Sequence, residues 1–122
     1  MRSSGIHTLL ALVVVASSAF GQQVYNVGDE GVTAPKVVKA VKPDYTQKAR
    51  DARIEGVVKL RAVVLADGSV SDIVVTQSLD ASLNGLDDQA VIALKKWVFE
   101  PGTKDGKPVA VRVLAELAFN LR

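Results

Sequence analysis

The stretch "VAVRVLAELAFNLR", Val109 to Arg122, decides how the chain is read. Taken every second residue, one face is Val109, Val111, Val113, Ala115, Leu117, Phe119 and Leu121, while the other carries Arg112, Glu116, Asn120 and Arg122 between Ala110, Leu114 and Ala118. Apolar–polar alternation with period two is the pattern of a half-buried β-strand. At ~3.3 Å per residue this strand would run roughly 45 Å, far beyond the usual five or six residues. A sheet edge of that length without Pro invites another chain to pair with it.

Working back from that strand, Asp105-Gly106 marks a turn leading into it, and Pro101-Gly102 stops the segment before it. "NGLDDQAVIALKKWVFEPG" predicts a helix from about Leu86 to Trp97, with Asn84 as its cap. Asp87 and Asp88 fall in its first turn and Lys95 and Lys96 in its last, as the helix dipole favours. Leu86, Ala90, Leu94 and Trp97 make the apolar stripe. "GVVKLRAVVLADGSVSDIVVTQSL" predicts a hairpin turning at Asp67-Gly68. Val58, Leu60, Ala62 and Val64 share one face of its first strand, and Ile73 and Val75 lie opposite Asp72 and Thr76 on its second. "DYTQKARDAR" predicts a short helix capped by Asp44, with Tyr45, Ala49 and Ala52 on one side and Gly56 as its end. "APKVVKAVKPDY" reads as an extended arm between Pro35 and Pro43.

These elements predict an α+β fold: two short helices on one face of a small, mainly antiparallel three-stranded sheet, with a wet outer face bearing Lys59, Arg61, Arg112 and Glu116. Leu60, Val64, Ile73, Leu94, Trp97 and Phe99 are the expected buried centre.

The first residues have a different character. "MRSSGIHTLLALVVVASSAFGQQ" has Arg2, an apolar run from about Leu9 to Ala16, then small residues, the layout of a secretory signal peptide cleaved before Gln22. An inner-membrane anchor over residues 6–20 is the alternative, but it falls short of the ~20 apolar residues a spanning helix needs. The expected organisation is a signal peptide at 1–21, a flexible leader at 22–34 and one domain at 35–122, exported to a periplasm.

Composition narrows the chemistry. The chain of 122 residues has no Cys, and its single His is His7, inside the expected signal. A mature domain without imidazole or thiol excludes His-based triads, thiol nucleophiles, zinc sites and haem ligation. The formal charge of +2 and the absence of a dense basic patch argue against nucleic acid. The loop from Asp80 to Val91 places oxygen donors at calcium-loop spacing, yet its twelfth position is Val91 where a bidentate Glu is required. Asp67, Asp72, Asp87 and Asp88 each have a structural reason to exist. No catalytic residue, cofactor or metal is expected.

The residues also carry a resemblance. Pro43 with Tyr45, Ala49-Arg50, Ile54-Glu55-Gly56, Asp67-Gly68, Leu86-Asp87 with Ala90, and Trp97-x-Phe99-x-Pro101 together resemble the C-terminal domain of the TonB energy-transducer family, over about Lys42 to Leu121. The resemblance implies a periplasmic domain that grips the TonB box, a short extended peptide of outer-membrane receptors, in energy-coupled uptake of siderophore- or cobalamin-type cargo. Thr46 departs from the Tyr-Pro pair common in the family. A second departure concerns the inner-membrane motor that the resemblance implies: with residues 1–21 removed no connection to it is expected, which makes an adaptor that binds without pulling the expected architecture. The partner-binding residues this implies are Lys42, Pro43, Asp44 and Tyr45 on the arm, with Val109, Val111, Arg112, Val113, Leu114, Ala115, Glu116, Leu117 and Phe119 on the strand. A self-associating envelope module, a homodimer through the same strand, is the alternative.

Overall fold

The computed structural model describes residues 23–121; the expected signal peptide at 1–21 lies outside them. The hairpin forms as its pattern requires. β4 (Gly56–Val64) and β5 (Val70–Gln77) pair antiparallel, and Val58, Leu60, Ala62 and Val64 are all buried on one face. Gly68 adopts a left-handed φ of 89° in the connecting turn, where the Asp67 carboxylate accepts hydrogen bonds from the Ser69 N–H (2.9 Å) and hydroxyl (2.6 Å). The ladder is not regular throughout. Its register shifts between Arg61 and Val63, and Asp72 sits at φ 52°, a conformation Asp tolerates better than most residues.

β9 (Ala110–Phe119) pairs antiparallel with β4 over its length, from Val64↔Val111 to Gly56↔Phe119. The expected three strands are therefore present. The sheet nevertheless has four, in the order β1-β9-β4-β5, because β1 (Val24–Asn26) lies parallel to β9 in the register Val24↔Ala110 to Asn26↔Arg112. That corrects the three-stranded expectation; the added strand lies within 22–34, the segment expected as a leader. A second strand of that segment, β2 (Val32–Thr33), pairs with β7 (Thr103–Lys104), which in turn pairs with β8 (Lys107–Pro108). Asp105 and Gly106 join β7 to β8 with φ 51° and 86°, both positive as a two-residue hairpin of type I′ demands. The arm forms β3 (Lys36–Lys39), antiparallel to β6 (Val98–Glu100).

Helix α1 (Gln47–Asp51) is capped by Thr46, whose hydroxyl accepts from the Ala49 N–H at 3.1 Å. Asp44, the expected cap, stands too far back along the chain. Ala49 is buried and Ala52 is exposed. Helix α2 (Leu86–Lys95) is capped at Gly85 without a side-chain bond; Asn84 precedes the cap at φ 58°. Its first turn is tied down from outside, since the Asp80 carboxylate accepts from the Leu86 N–H (3.1 Å) and from the Ser82 N–H and hydroxyl.

Both helices face the same core. Ala49 of α1 and Leu86, Ala90, Ala93 and Leu94 of α2 cluster with Val58, Leu60, Ala62, Leu117 and Phe119 of the sheet. Of the six expected centre residues, Leu60, Val64, Leu94 and Phe99 are buried, whereas Ile73 and Trp97 are only half-buried against the cluster. Trp97 is held there by its indole N–H, which donates to the Val41 carbonyl at 2.9 Å and so pins the end of the arm to the end of α2.

Candidate partner-binding edge

The terminal strand keeps the alternation read from sequence. Val111, Leu117 and Phe119 are buried and Val113 and Ala115 half-buried on the core side, while Arg112, Leu114, Glu116 and Ala118 point outward. Leu114 is 79% exposed, a large apolar side chain on the wet face, and Glu116 lies 3.9 Å from the Lys59 ammonium across the β4 ladder.

What differs from the expectation is how much of the strand is open. Val109 lies before β9 and its N–H donates to the Gly102 carbonyl at 3.0 Å. Ala110, Val111 and Arg112 face β1, and the Arg112 guanidinium donates to the Asn26 side-chain carbonyl at 2.7 Å. Of the ten residues of β9, the seven from Val113 to Phe119 have, among the described residues, no strand on the edge away from β4. The sequence-derived set thus divides. Val109, Val111 and Arg112 are engaged inside the domain, and Val113, Leu114, Ala115, Glu116, Leu117 and Phe119 line the open edge.

A concavity lies at each end of that edge. At the Phe119 end, Lys42, Pro43, Asp44 and Tyr45 of the arm, Arg50 of α1, and Ala118, Phe119 and Asn120 enclose about 450 Å³. The four arm residues expected at the site therefore do converge with the terminal strand. Tyr45 is fixed by three contacts: its ring meets Phe119 edge-on at 5.5 Å and 87°, the Arg50 guanidinium sits 4.8 Å above it, and its hydroxyl donates to the Ile54 carbonyl. Desolvation, with the neighbouring Glu55 charge, pushes the Tyr45 phenol up against the opposing pull of Arg50, so it stays a neutral donor. At the other end, Asn26, Val27, Arg112, Val113 and Leu114 line a second, more apolar concavity, also about 450 Å³.

Three participants were missed by the sequence reading. Arg50 stacks on Tyr45 from five residues away, a spacing with no standing rule. Asn26 and Val27 fall in the segment read as leader, where only the pair Val24-Tyr25 hints at a strand.

The acidic residues considered for chemistry hold structure together instead. Asp87 is 7% exposed. Its carboxylate accepts from the Leu79 N–H (2.8 Å), the Asp80 N–H (2.9 Å) and the Ser78 hydroxyl (2.5 Å). Burial opposes its charge, but those hydrogen bonds outweigh burial and hold its carboxyl below the usual carboxylate range. Asp80 is likewise held low, chiefly by the Ser82 hydroxyl and against partial desolvation. Among the described residues no group of three acidic or His side chains is placed to hold a metal ion, and no helix is long and apolar enough to cross a membrane.

Comparison with known proteins identifies the family. The family described as Gram-negative bacterial TonB protein C-terminal matches residues 41–121. The chain is 37% identical over 92 residues to Protein TonB of Vibrio cholerae, covering 74% of this chain and 36% of that protein. It is 28% identical over 85 residues to Protein TonB of Escherichia coli (strain K12), covering 70% of this chain and 34% of that protein. The chain thus spans about a third of the length of these relatives. Among solved structures, the solution NMR structure of the Pseudomonas aeruginosa TonB CTD is similar with a TM-score of 0.59 at 28% identity, covering 83% of this chain and 97% of that one. The family is non-enzymatic.

Proposed function

Because the chain belongs to the family of Gram-negative bacterial TonB protein C-terminal domains, we propose that it is an exported, periplasmic module that receives an extended peptide of an outer-membrane transport receptor along β9. The guest adds as a strand beside Val113–Phe119, so that backbone hydrogen bonds supply the affinity and the guest's alternate side chains reach the concavities at the two ends. The observation that carries this reading is the open seven-residue edge, backed on its other side by an unbroken ladder to β4. A backed strand is held in the extended form and presents its amides at little ordering cost on the protein's side. The arm contributes Lys42, Pro43, Asp44 and Tyr45 as the wall where the guest leaves the sheet. In the family setting this contact belongs to energy-coupled uptake of siderophore- or cobalamin-type cargo; a stand-alone adaptor uses the same edge.

The test is a comparison of proline and alanine on the strand. Successive N–H groups point to opposite sides of β9, so only one of Ala115→Pro and Glu116→Pro removes an amide facing the open edge. That variant keeps its fold and loses binding of a peptide from the N-terminal extension of a receptor of the same organism. Glu116→Ala keeps the backbone amide and binds like the unaltered protein. Backbone NMR shifts on adding the peptide fall on Val113–Phe119 and on Lys42–Tyr45. Tight binding with shifts outside both regions refutes the reading. A dilution series without peptide separates the alternative, since self-pairing gives concentration-dependent shifts on the same strand.

A further inference from the structure

We propose that β1 is a displaceable strap, a built-in occupant of the terminal strand's edge that sets the length of guest the edge accepts; this rests on the strand-addition reading above. β1 holds the part of the β9 edge that a longer guest would need, through three residues in parallel register and one side-chain hydrogen bond, Arg112 to Asn26. Val24 and Tyr25 are only half-buried and Asn26 is exposed, so peeling β1 away uncovers little apolar surface.

The segment that follows is fastened far better. The Asn26 N–H donates to the Asp29 carboxylate (2.9 Å), and the Asp29 N–H to the Asn26 carbonyl (3.1 Å). Beyond the turn, the Asp105 N–H donates to the Gly31 carbonyl, the Lys104 ammonium to the Glu30 carbonyl, and the Thr33 and Thr103 hydroxyls lie 2.7 Å apart. β2 therefore stays on β7 when β1 leaves. A strap tethered this way rebinds as an intramolecular competitor at high effective concentration. Val27, 57% exposed at the point where the chain turns off the edge, forms the stop against which a short guest abuts, beside Val113 and Leu114.

The consequence is a length rule. A guest of about seven residues fits beside Val113–Phe119 with β1 in place, whereas a guest of about ten must evict it to gain three further ladder positions. The chain contains no Cys, so the strap is lockable without ambiguity. Val24→Cys with Ala110→Cys joins register partners, whose separation in a parallel pair falls within disulfide reach. Val24→Pro with Tyr25→Pro releases the strap whichever N–H groups the ladder uses.

The probes are end-blocked synthetic peptides alternating valine and threonine, of seven and of ten residues, titrated by NMR into the unaltered, released and locked (oxidised against reduced) full chains. The seven-residue peptide shifts Val113–Phe119 with the same affinity in all three. The ten-residue peptide binds on the order of ten-fold tighter to the released than to the locked chain, as one or two added hydrogen bonds imply, and oxidation alone removes the gain. Amide shifts of β4 and β5 monitor the fold in each variant. Equal affinity of the ten-residue peptide for locked and released chains overturns the strap while leaving strand addition standing. Loss of the seven-residue peptide on locking also overturns it, by placing the guest under β1. Failure of the seven-residue peptide to shift Val113–Phe119 in any form overturns the strand-addition reading and the strap with it.

Discussion

Asp87 carries the sharpest stability prediction. Its carboxylate joins the end of β5 and the following loop to the first turn of α2, with one oxygen taking the Leu79 and Asp80 N–H groups and the other the Ser78 hydroxyl. Asp87→Ala removes the acceptor of two part-buried backbone donors. Each unsatisfied buried donor costs roughly 1–3 kcal/mol. Two of them, with the lost negative charge at a helix N-terminus, put the penalty at about 3–5 kcal/mol, a large part of the ~5–15 kcal/mol typical of a domain. Asp87→Asn keeps a carbonyl oxygen for the two N–H groups, and the Ser78 hydroxyl rotates to accept from the new amide. Only the charge is lost, and about 1–2 kcal/mol goes with it. Urea unfolding followed by Trp97 fluorescence at pH 7 ranks the three proteins in that order. Acid supplies the control. The folded carboxyl lies below its unfolded value, so the stability it contributes is full above the unfolded pKa and is lost as pH falls through the folded one. The gap between the unaltered protein and Asp87→Asn therefore narrows as pH falls below the usual carboxylate range near ~4. A gap that stays constant down to strong acid, or an alanine variant as stable as the asparagine one, refutes the assignment of Asp87 as a charged anchor.

Gly68 and Gly106 both have left-handed φ, but a Cβ at Gly68 would stand 2.2 Å from the Phe99 carbonyl oxygen and one at Gly106 would meet nothing. Gly68→Ala is therefore expected to lower stability by clearly more than the ~1 kcal/mol of backbone strain expected for Gly106→Ala, as thermal midpoints will show. Trp97→Phe removes the hydrogen bond to the Val41 carbonyl while keeping most of the ring packing. It should cost about 1 kcal/mol and speed amide exchange in the arm around Lys39–Lys42. Phe119→Ala should cost about 3–5 kcal/mol and loosen Tyr45, read as a shift of the Tyr45 ring resonances toward their random-coil values. Calorimetric titration with calcium should give no heat, since both Asp80 oxygens already accept hydrogen bonds from Ser82 and Leu86.

Periodicity made the sheet and both helices legible. Strand alternation in β4 and β9 and the stripe of Leu86, Ala90 and Leu94 follow from burial on one side, which every few residues repeat, and the structure buries those positions except Val113 and Ala115, which are half-buried. The Asp-Gly turns were legible because they need positive φ, which few residue types supply. Helix caps were less so. Thr46, not Asp44, caps α1, and Gly85, not Asn84, caps α2, because several neighbouring residues can cap and only the path of the preceding chain selects one. The resemblance to TonB C-terminal domains pointed to the arm and the last strand, and the fold brings Tyr45 against Phe119.

What the tertiary structure alone decided is which part of the last strand is open. A strand's hydrogen-bonding edges leave no mark in its own side-chain pattern, because the alternation reports the two faces of a sheet, not its two edges. β1 is three residues long, too short for a period to show, and its partner lies 86 positions away at Ala110. Pairing at that separation is settled when the loops between are folded and the two backbones meet. Only there does a fourteen-residue alternation become a ten-residue strand with seven residues free.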